Sequence, residues 1–386
     1  MLNCDPLPFS RLVSKAVVAD FRGGRLTTDA GALLLREVER RLGLFQAIDR
    51  CIPDPRQPEL IEHDQETLLA QRITAIALGY EDLNDHQTLR DDPTLQLVAG
   101  YDPSEAKPLA SPPTLCRLEN RIDRTALVQI AAVLVDQFLA AHPEPPAALI
   151  LGFDATDDPI HGHQEGRFFH GYYDHHCFLP LYVTCGDELL VAYLRPSHID
   201  AGKHSRAILK LLVGRLRAAW PGVKITMRAD SGFCRWRLRR WCDRNGVGYV
   251  LGLAKNPALL CLARDEIDRA QRQFERTGQP QRIFGSFAYA AATGDRRRRV
   301  IVRAEHTDKG TNPRFVVTSV PGDPQLLYDD VYCQRGEAEK LKVAAWVVGS
   351  VRRVAFHLAS SYPYRALFTR VFDRVIRAAP IGRGSG

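Results

Sequence analysis

At 386 residues, 45% of them apolar and 25% charged, the chain has material for two packed domains, or for one domain with a large insertion, and composition excludes a disordered polymer. Fifty-two Lys and Arg against forty-five Asp and Glu leave a net charge of +7, which becomes informative because the arginines cluster: Arg235, Arg237, Arg239, Arg240 and Arg244, then Arg296 to Arg299, then Arg352 and Arg353. Nine cysteines, an odd number with no Cys-x-x-Cys pair, exclude a secreted disulfide framework and fit a reducing cytoplasm.

Met1 to Ser10 carries Asp5 and two prolines where a secretion signal needs an apolar run. Residues 1–145 are expected to form a helical amino-terminal domain. Its first helix follows Thr28 or Asp29 as cap, with Leu34, Val38 and Leu42 recurring on one face. A second helix is expected at about 65–78 and a third at about 114–122. Ser111-Pro112-Pro113 opens a short amphipathic segment bearing Arg117 and Arg121, a pattern that suits a DNA-reading helix and suits an ordinary core helix equally. The most apolar helix, Thr125 to Ala141, is broken by Gln129, Asp136 and Gln137 and is expected to be too short and too polar to span a bilayer, so no membrane partner is expected. The proline-rich stretch 142–146 marks a domain boundary.

Beyond it the pattern changes to strands, at about 148–154, 178–185 and 189–194, the last two joined by the tight turn Gly186-Asp187. A helix follows at 205–220, with Ile208, Leu211, Leu212 and Leu216 as its buried stripe. Then come a strand ending at Asp230, a helix at 235–244 and a strand at 248–253. Three antiparallel strands, helix, strand, helix, strand is the order of an α/β fold with a ribonuclease H-like mixed sheet and flanking helices, its first part spanning 146–254. Alternation at 283–290 and 298–304 predicts a β-rich insertion over 255–313. Residues 314–320 return the chain to the sheet before a helix bearing Glu339, so that 314–348 closes the core and 349–386 forms a tail segment.

Three acids stand in unusual settings: Asp154 closes the apolar run Ala148 to Phe153, Asp230 ends Lys224 to Ala229, and Glu339 lies in Tyr332-Cys333-Gln334-Arg335-Gly336-Glu337-Ala338-Glu339. A carboxylate at the tip of a buried strand is costly unless it has a use. Two strand ends and one helix can aim oxygens at a shared point where hard cations are held, which suits the cutting of phosphodiester bonds. Asp157 and Asp158 compete with Asp154 for the first position; the apolar strand leading directly into Asp154 favours it. His161, His163, His170, His175 and His176 invite a zinc site, but no cysteine stands at matching intervals and no HExxH helix is present. Trp236 and Trp241 flank arginines on one helix. An exposed indole there could stack on a displaced base, whereas the shared face of Leu238 and Trp241 favours burial.

The spacing Tyr332-x-x-Arg335-x-x-x-Glu339 resembles the signature of DDE transposases of bacterial insertion sequences. LGFDATDDPIHGHQEGRFFHGYYDHH, from Leu151 to His176, is similar to insertion-sequence family 1380, and the likeness runs from TTDAGALLL to RADSGFCR. The resemblance implies that Asp154, Asp230 and Glu339 are catalytic and hold two Mg2+ ions, for which Mn2+ can substitute, at an oxygen-only site. It implies that Tyr332 and Arg335 contact the element's end. It also implies double-stranded DNA as partner, both terminal inverted repeats and target, a homodimer on paired ends, and residence at the nucleoid of a bacterial cytoplasm. The expected activity is cleavage at the element ends followed by strand transfer.

Two departures qualify this expectation. Seven positions beyond the glutamate the family carries a lysine, yet Trp346 stands here, leaving Lys342 as the nearest basic side chain. The chain also runs soon after Glu339 into VVGSVRRVAFHLASSYPYRALF, which resembles the family's extreme carboxyl end, so that an internal piece is missing near 340–344. A copy altered in this way is expected to bind element ends and to cut them weakly or not at all. Two alternatives stand beside it: a non-catalytic end-binding protein that interferes with an intact transposase, and a ribonuclease H-like nuclease without strand transfer.

Overall fold

The computed structural model describes residues 7–12, 15–19, 24–105, 107–160, 162, 164–291, 295–333, 345–350, 353–358 and 369–374. The chain divides into two compact units, 1–133 with 338–386, and 134–337.

In the first unit, helices α1 (Ala32–Leu42), α2 (Gln65–Leu78) and α3 (Pro112–Arg121), with the start of α4 (Arg124–Ala141), enclose two small apolar cores. One gathers Leu78, Leu89, Leu95 and Leu109, the other Leu68, Leu69, Leu115, Leu118 and Ala126. Helix α2 begins where Asp64 accepts from the Thr67 amide at 2.7 Å and stops at Gly79, whose φ of 92° suits a residue without a β-carbon. Helix α1 starts later than its predicted cap. Asp29 is buried instead and accepts from the Tyr80 hydroxyl at 2.9 Å. The unit also holds strands: Leu7–Leu12 pairs with Lys15–Ala19, and Arg25–Thr27 pairs with Ala345–Ser350, which pairs in turn with Arg353–Leu358.

Gln71 binds both backbone groups of Ala110, and its Nε2 also lies 3.0 Å from Nδ1 of the fully buried His86. An amide N–H can only donate, so Nδ1 accepts and the imidazole is neutral. Burial pushes the His86 pKa down to about 4, with nearby Arg72 adding to the effect.

The second unit is built on one nine-stranded sheet. Its strands are β1 (Ala148–Ala155), β2 (Leu181–Cys185), β3 (Glu188–Tyr193), β4 (Lys224–Ala229), β5 (Gly248–Leu253), β6 (Gln281–Tyr289), β7 (Arg298–Thr307) and β8 (Arg314–Thr318), with Gly310–Thr311 paired to the end of β7. The spatial order is β3-β2-β1-β4-β5-β8-β7-β6. Strands β1, β4 and β5 are parallel and the remaining pairings antiparallel. The strands of segment 255–313 thus widen the same sheet.

Burial alternates along β1 and β4 as a period of two requires, sending Leu149, Leu151, Phe153, Ile225, Met227 and Ala229 to one face. That face receives Val135 and Phe138 of α4, together with α5 (Ser205–Ala219), α6 (Trp236–Arg244) and α7 (Arg264–Thr277). Each such fully buried side chain contributes about 2 kcal/mol, so this face holds the dominant core. Of the predicted stripe of α5, Leu212 and Leu216 are buried together with Leu209 and Val213, Ile208 is partly buried, and Leu211 is 72% exposed. The opposite face packs Val250, Ile301 and Val316 under Leu327 and Tyr328.

Helix α4 corrects one expectation: by length and composition alone it is long and apolar enough to cross a membrane. Asp136 is its only acid, too little to offset so many apolar residues. Three of its residues, Ala126, Val135 and Phe138, are buried and Asp136 is paired to Arg215, while Leu127 and Val128 are exposed.

A buried ion network ties β7 to α6. Arg298 is buried and meets Asp243 at 2.7 Å, Asp295 at 2.6 Å and the Tyr249 hydroxyl at 2.9 Å. Asp243 also holds Arg296 at 2.6 Å, and Arg299 donates to the carbonyl of Gly322 at 2.8 Å. Most of the 296–299 cluster is therefore committed to structure.

Asp243→Asn, which leaves Arg298 buried with one partner fewer, is expected to cost about 3 kcal/mol in urea unfolding, against less than about 1 kcal/mol for Arg296→Ala, whose side chain is largely exposed. His86 has a folded pKa below its ordinary 6.5. Its contribution to stability is complete above pH 6.5 and is lost as pH falls toward 4, by about 1.4 kcal/mol per pH unit. Thermal melts across that window should show a shallower pH slope in His86→Gln than in the parent.

Candidate active site

The parallel register of β1 and β4 pairs Ala148 with Lys224 and continues to Phe153 with Ala229, so Asp230 follows at the level of Asp154. Adjacent strands lie roughly 5 Å apart, which sets the two α-carbons at about that separation. Both acids follow residues buried in the main core, and both are exposed. The structure thus brings together two of the three predicted acids, on the face opposite the helices α5 and α6.

One row below, Arg228 lies beside Gly152. A β-carbon on Gly152 would sit 2.9 Å from Nη2 of Arg228 and 3.1 Å from Oγ1 of Thr184, so glycine leaves the space the guanidinium crosses. Nη1 of Arg228 donates to the Val331 carbonyl at 3.2 Å. Val331 belongs to a helical segment, Pro324–Leu326 followed by the wide π-helical turn Leu327–Tyr332, that packs on this face.

The same segment delivers Tyr332. A β-carbon on Gly252 would lie 2.6 Å from the Tyr332 hydroxyl, 2.7 Å from the Ser231 amide nitrogen and 3.0 Å from the carbonyl carbon of Asp230. The phenol and the Asp230 turn therefore share one point above Gly252. Asp230 shapes its own turn as well, Oδ1 accepting from the Gly232 amide at 2.8 Å. Arg335, Glu339 and Lys342 lie outside the described residues.

The competing acids have partners of their own. Asp157 sits 2.8 Å from Nε2 of His175, and Asp158 joins the small antiparallel sheet of Asp158–Pro159, Phe168–His170 and His175–Phe178. The turn between the last two strands carries Tyr173, which the sequence did not single out. Burial raises its pKa first, and Asp157, Tyr172, Asp154 and Asp230 raise it further, so the phenol keeps its proton beside the acids. His170 accepts from the Tyr172 amide at 3.3 Å, His176 is exposed, and His161 and His163 lie outside the described residues.

In the first unit, Arg121 pairs with Asp54 at 2.8 Å while Arg117 is exposed on α3. Arg56 and Arg121 hold the Asp54 carboxyl down to about 2, Arg56 having the larger share. Arg121 is thus occupied as a brace.

Among the described residues no three His, Cys, Asp or Glu side chains gather as a metal site. Asp154 and Asp230 supply two carboxylates at one edge, a donor pair that fits a hard cation such as Mg2+ or Mn2+ and leaves further positions for water or another acid.

Residues 9–341 match the protein family described as transposase DDE domain group 1. No curated protein matches the sequence. Among solved structures, a cryo-EM structure of a piggyBac transposase synaptic complex with hairpin DNA is similar at 10% identity and a TM-score of 0.37, over 85% of this chain and 68% of that one.

Gly252→Ala is expected to destabilise the protein by about 1–3 kcal/mol, because the added methyl meets a phenol oxygen and two backbone atoms. In a Tyr332→Phe background the same change should cost measurably less in urea unfolding. Equal costs in both backgrounds would separate Tyr332 from this site.

Proposed function

The chain belongs to the DDE transposases of domain group 1, and from this premise we propose that it acts on DNA phosphodiester bonds, with Asp154 and Asp230 as its first two catalytic acids. The observation that carries the reading is their side-by-side position at the ends of two parallel strands. The order β3-β2-β1-β4-β5, with β1, β4 and β5 parallel and helices α5 and α6 as crossovers, supports a ribonuclease H-like core. Glu339 is proposed as the third acid from the spacing Tyr332-x-x-Arg335-x-x-x-Glu339, which also assigns Arg335 and Lys342 to the DNA.

In this reading the two carboxylates would hold divalent ions, Mg2+ or Mn2+, two per site. When bound, such ions activate the attacking oxygen and offset charge on the phosphate. Water attacks phosphorus, the bond to the 3′ oxygen breaks, and the freed 3′ hydroxyl becomes the nucleophile toward a target strand. Arg228, one row below the acids, contributes positive charge and, through Val331, holds the segment that delivers Tyr332. Tyr173, its proton retained, donates to a phosphate oxygen. A pair of chains on paired ends would bring two such sites together.

The test uses the purified chain, a duplex carrying the inverted repeat that flanks its gene, and Mg2+ or Mn2+. Asp154→Asn and Asp230→Asn should each lower nicking and joined product more than about a hundredfold while DNA binding in EDTA stays within about threefold. Mn2+ bound per chain, counted by electron paramagnetic resonance, should fall in both variants. Unchanged Mn2+ binding in both would remove the acids from the site.

A further inference from the structure

A cluster of unpaired arginines in the second unit lies on its helical face. A shallow groove of about 280 Å³ is lined by Arg206, Trp236, Arg237, Arg240, Trp241 and Arg244. All four arginines are exposed, and Trp236 is 37% exposed. The guanidinium of Arg237 lies over the Trp236 ring at 5.4 Å. Among the described residues none of the four arginines has a carboxylate within ion-pair distance.

The local sequence explains this excess. Helix α5 contains no acid at all, and the only acid of α6, Asp243, is committed to Arg296 and Arg298. Arg235, just before α6, is taken by Asp200. Four like charges around one groove repel one another unless an outside anion balances them. Their guanidinium groups offer planar paired donors that match phosphate oxygens, and the indole offers a flat apolar wall.

The shape favours a long anion over a small one. From Trp236 to Arg244 the helix runs roughly 12 Å, which spans several phosphates of one strand at about 3.4 Å of rise each. The groove is shallow and open, unlike a pocket that encloses a single ion. Helix α6 begins shortly after the turn that starts at Asp230, so the basic face starts near the edge of the sheet where the acids stand.

We propose that the α5–α6 face is a sequence-independent docking surface for the sugar-phosphate backbone of duplex DNA, holding the flank of the strand whose phosphodiester reaches the acids. The proposal takes its occupant from the reading of Asp154 and Asp230 as a DNA-processing site. What supports it independently is the set of unpaired arginines.

The experiment measures binding of the full chain in EDTA, by fluorescence anisotropy over a salt series. Two probes are used: a 30-bp duplex of random sequence and a duplex of the flanking inverted repeat. The triple variant Arg237→Ala, Arg240→Ala, Arg244→Ala is compared with Arg269→Ala, Arg272→Ala, Arg276→Ala, which removes the same charge from exposed positions on α7. The groove variant should weaken binding of both duplexes by about 10- to 100-fold and reduce the slope of log affinity against log salt by about 2.7, roughly 0.9 for each phosphate no longer neutralised. The α7 variant should change affinity less than about threefold, and both variants should melt as the parent does.

Equal losses in the two variants would reduce the effect to net charge and overturn the proposal. So would unchanged binding by the groove variant, a loss confined to the inverted-repeat duplex, or equal displacement of DNA by polyglutamate. Because the assay needs neither metal ion nor cleavage, its failure is separate from that of the acids. Intact cleavage in Asp154→Asn would sink the catalytic reading and leave these binding results standing.

Discussion

The constraint on which the site depends is the register between β1 and β4. Side chains alternate along a strand with a period of two, so a slip of one residue would send Asp154 toward the main core and Phe153 toward water. Leu149, Leu151 and Phe153 on one strand, with Ile225, Met227 and Ala229 on the other, hold that register from the buried face. The acids on the far face are positioned by apolar residues they never touch. Gly152 completes the arrangement, because any larger residue would press on Arg228, and Arg228 holds the segment that carries Tyr332.

What the sequence made legible follows the range of the interactions involved. β1 and β4 show plain alternation ending in a single acid, and the helices between strands carry strong periodicity, so their order could be read within a few residues. Leu211 was misplaced in the stripe of α5 because it is chemically like its neighbour Leu212, and only packing decides that it faces outward. The pairing of Arg25–Thr27 with Ala345–Ser350 joins opposite ends of the chain and leaves no local trace. Tyr173 escaped notice for the same reason: a turn between two short strands carries it toward the acids. The predicted third acid lies outside the described residues, so its place in the site rests on spacing alone.

The arginine clusters show why net charge is a poor guide to partners. Arg296 and Arg298 stand near Asp243 and Asp295, and the fold uses those acids to close a buried network. Arg237, Arg240 and Arg244 stand on a helix whose one acid is already spent in that network. The same carboxylate that neutralises one cluster thereby leaves the other open. Desolvation rewards complete pairing inside, and the surplus is left at the surface, where a polyanion can meet it.

Under the two proposals, chemistry and DNA grip fall on opposite faces of one sheet, and they depend on different parts of the chain. The basic groove is made wholly from α5 and α6, which are fixed by their packing on β1, β4 and β5. The acid edge has beside it, in addition, the segment that ends at Tyr332. Under the two proposals, a change confined to the acids removes cutting and leaves the grip on DNA in place, because no residue of the groove belongs to the acid edge.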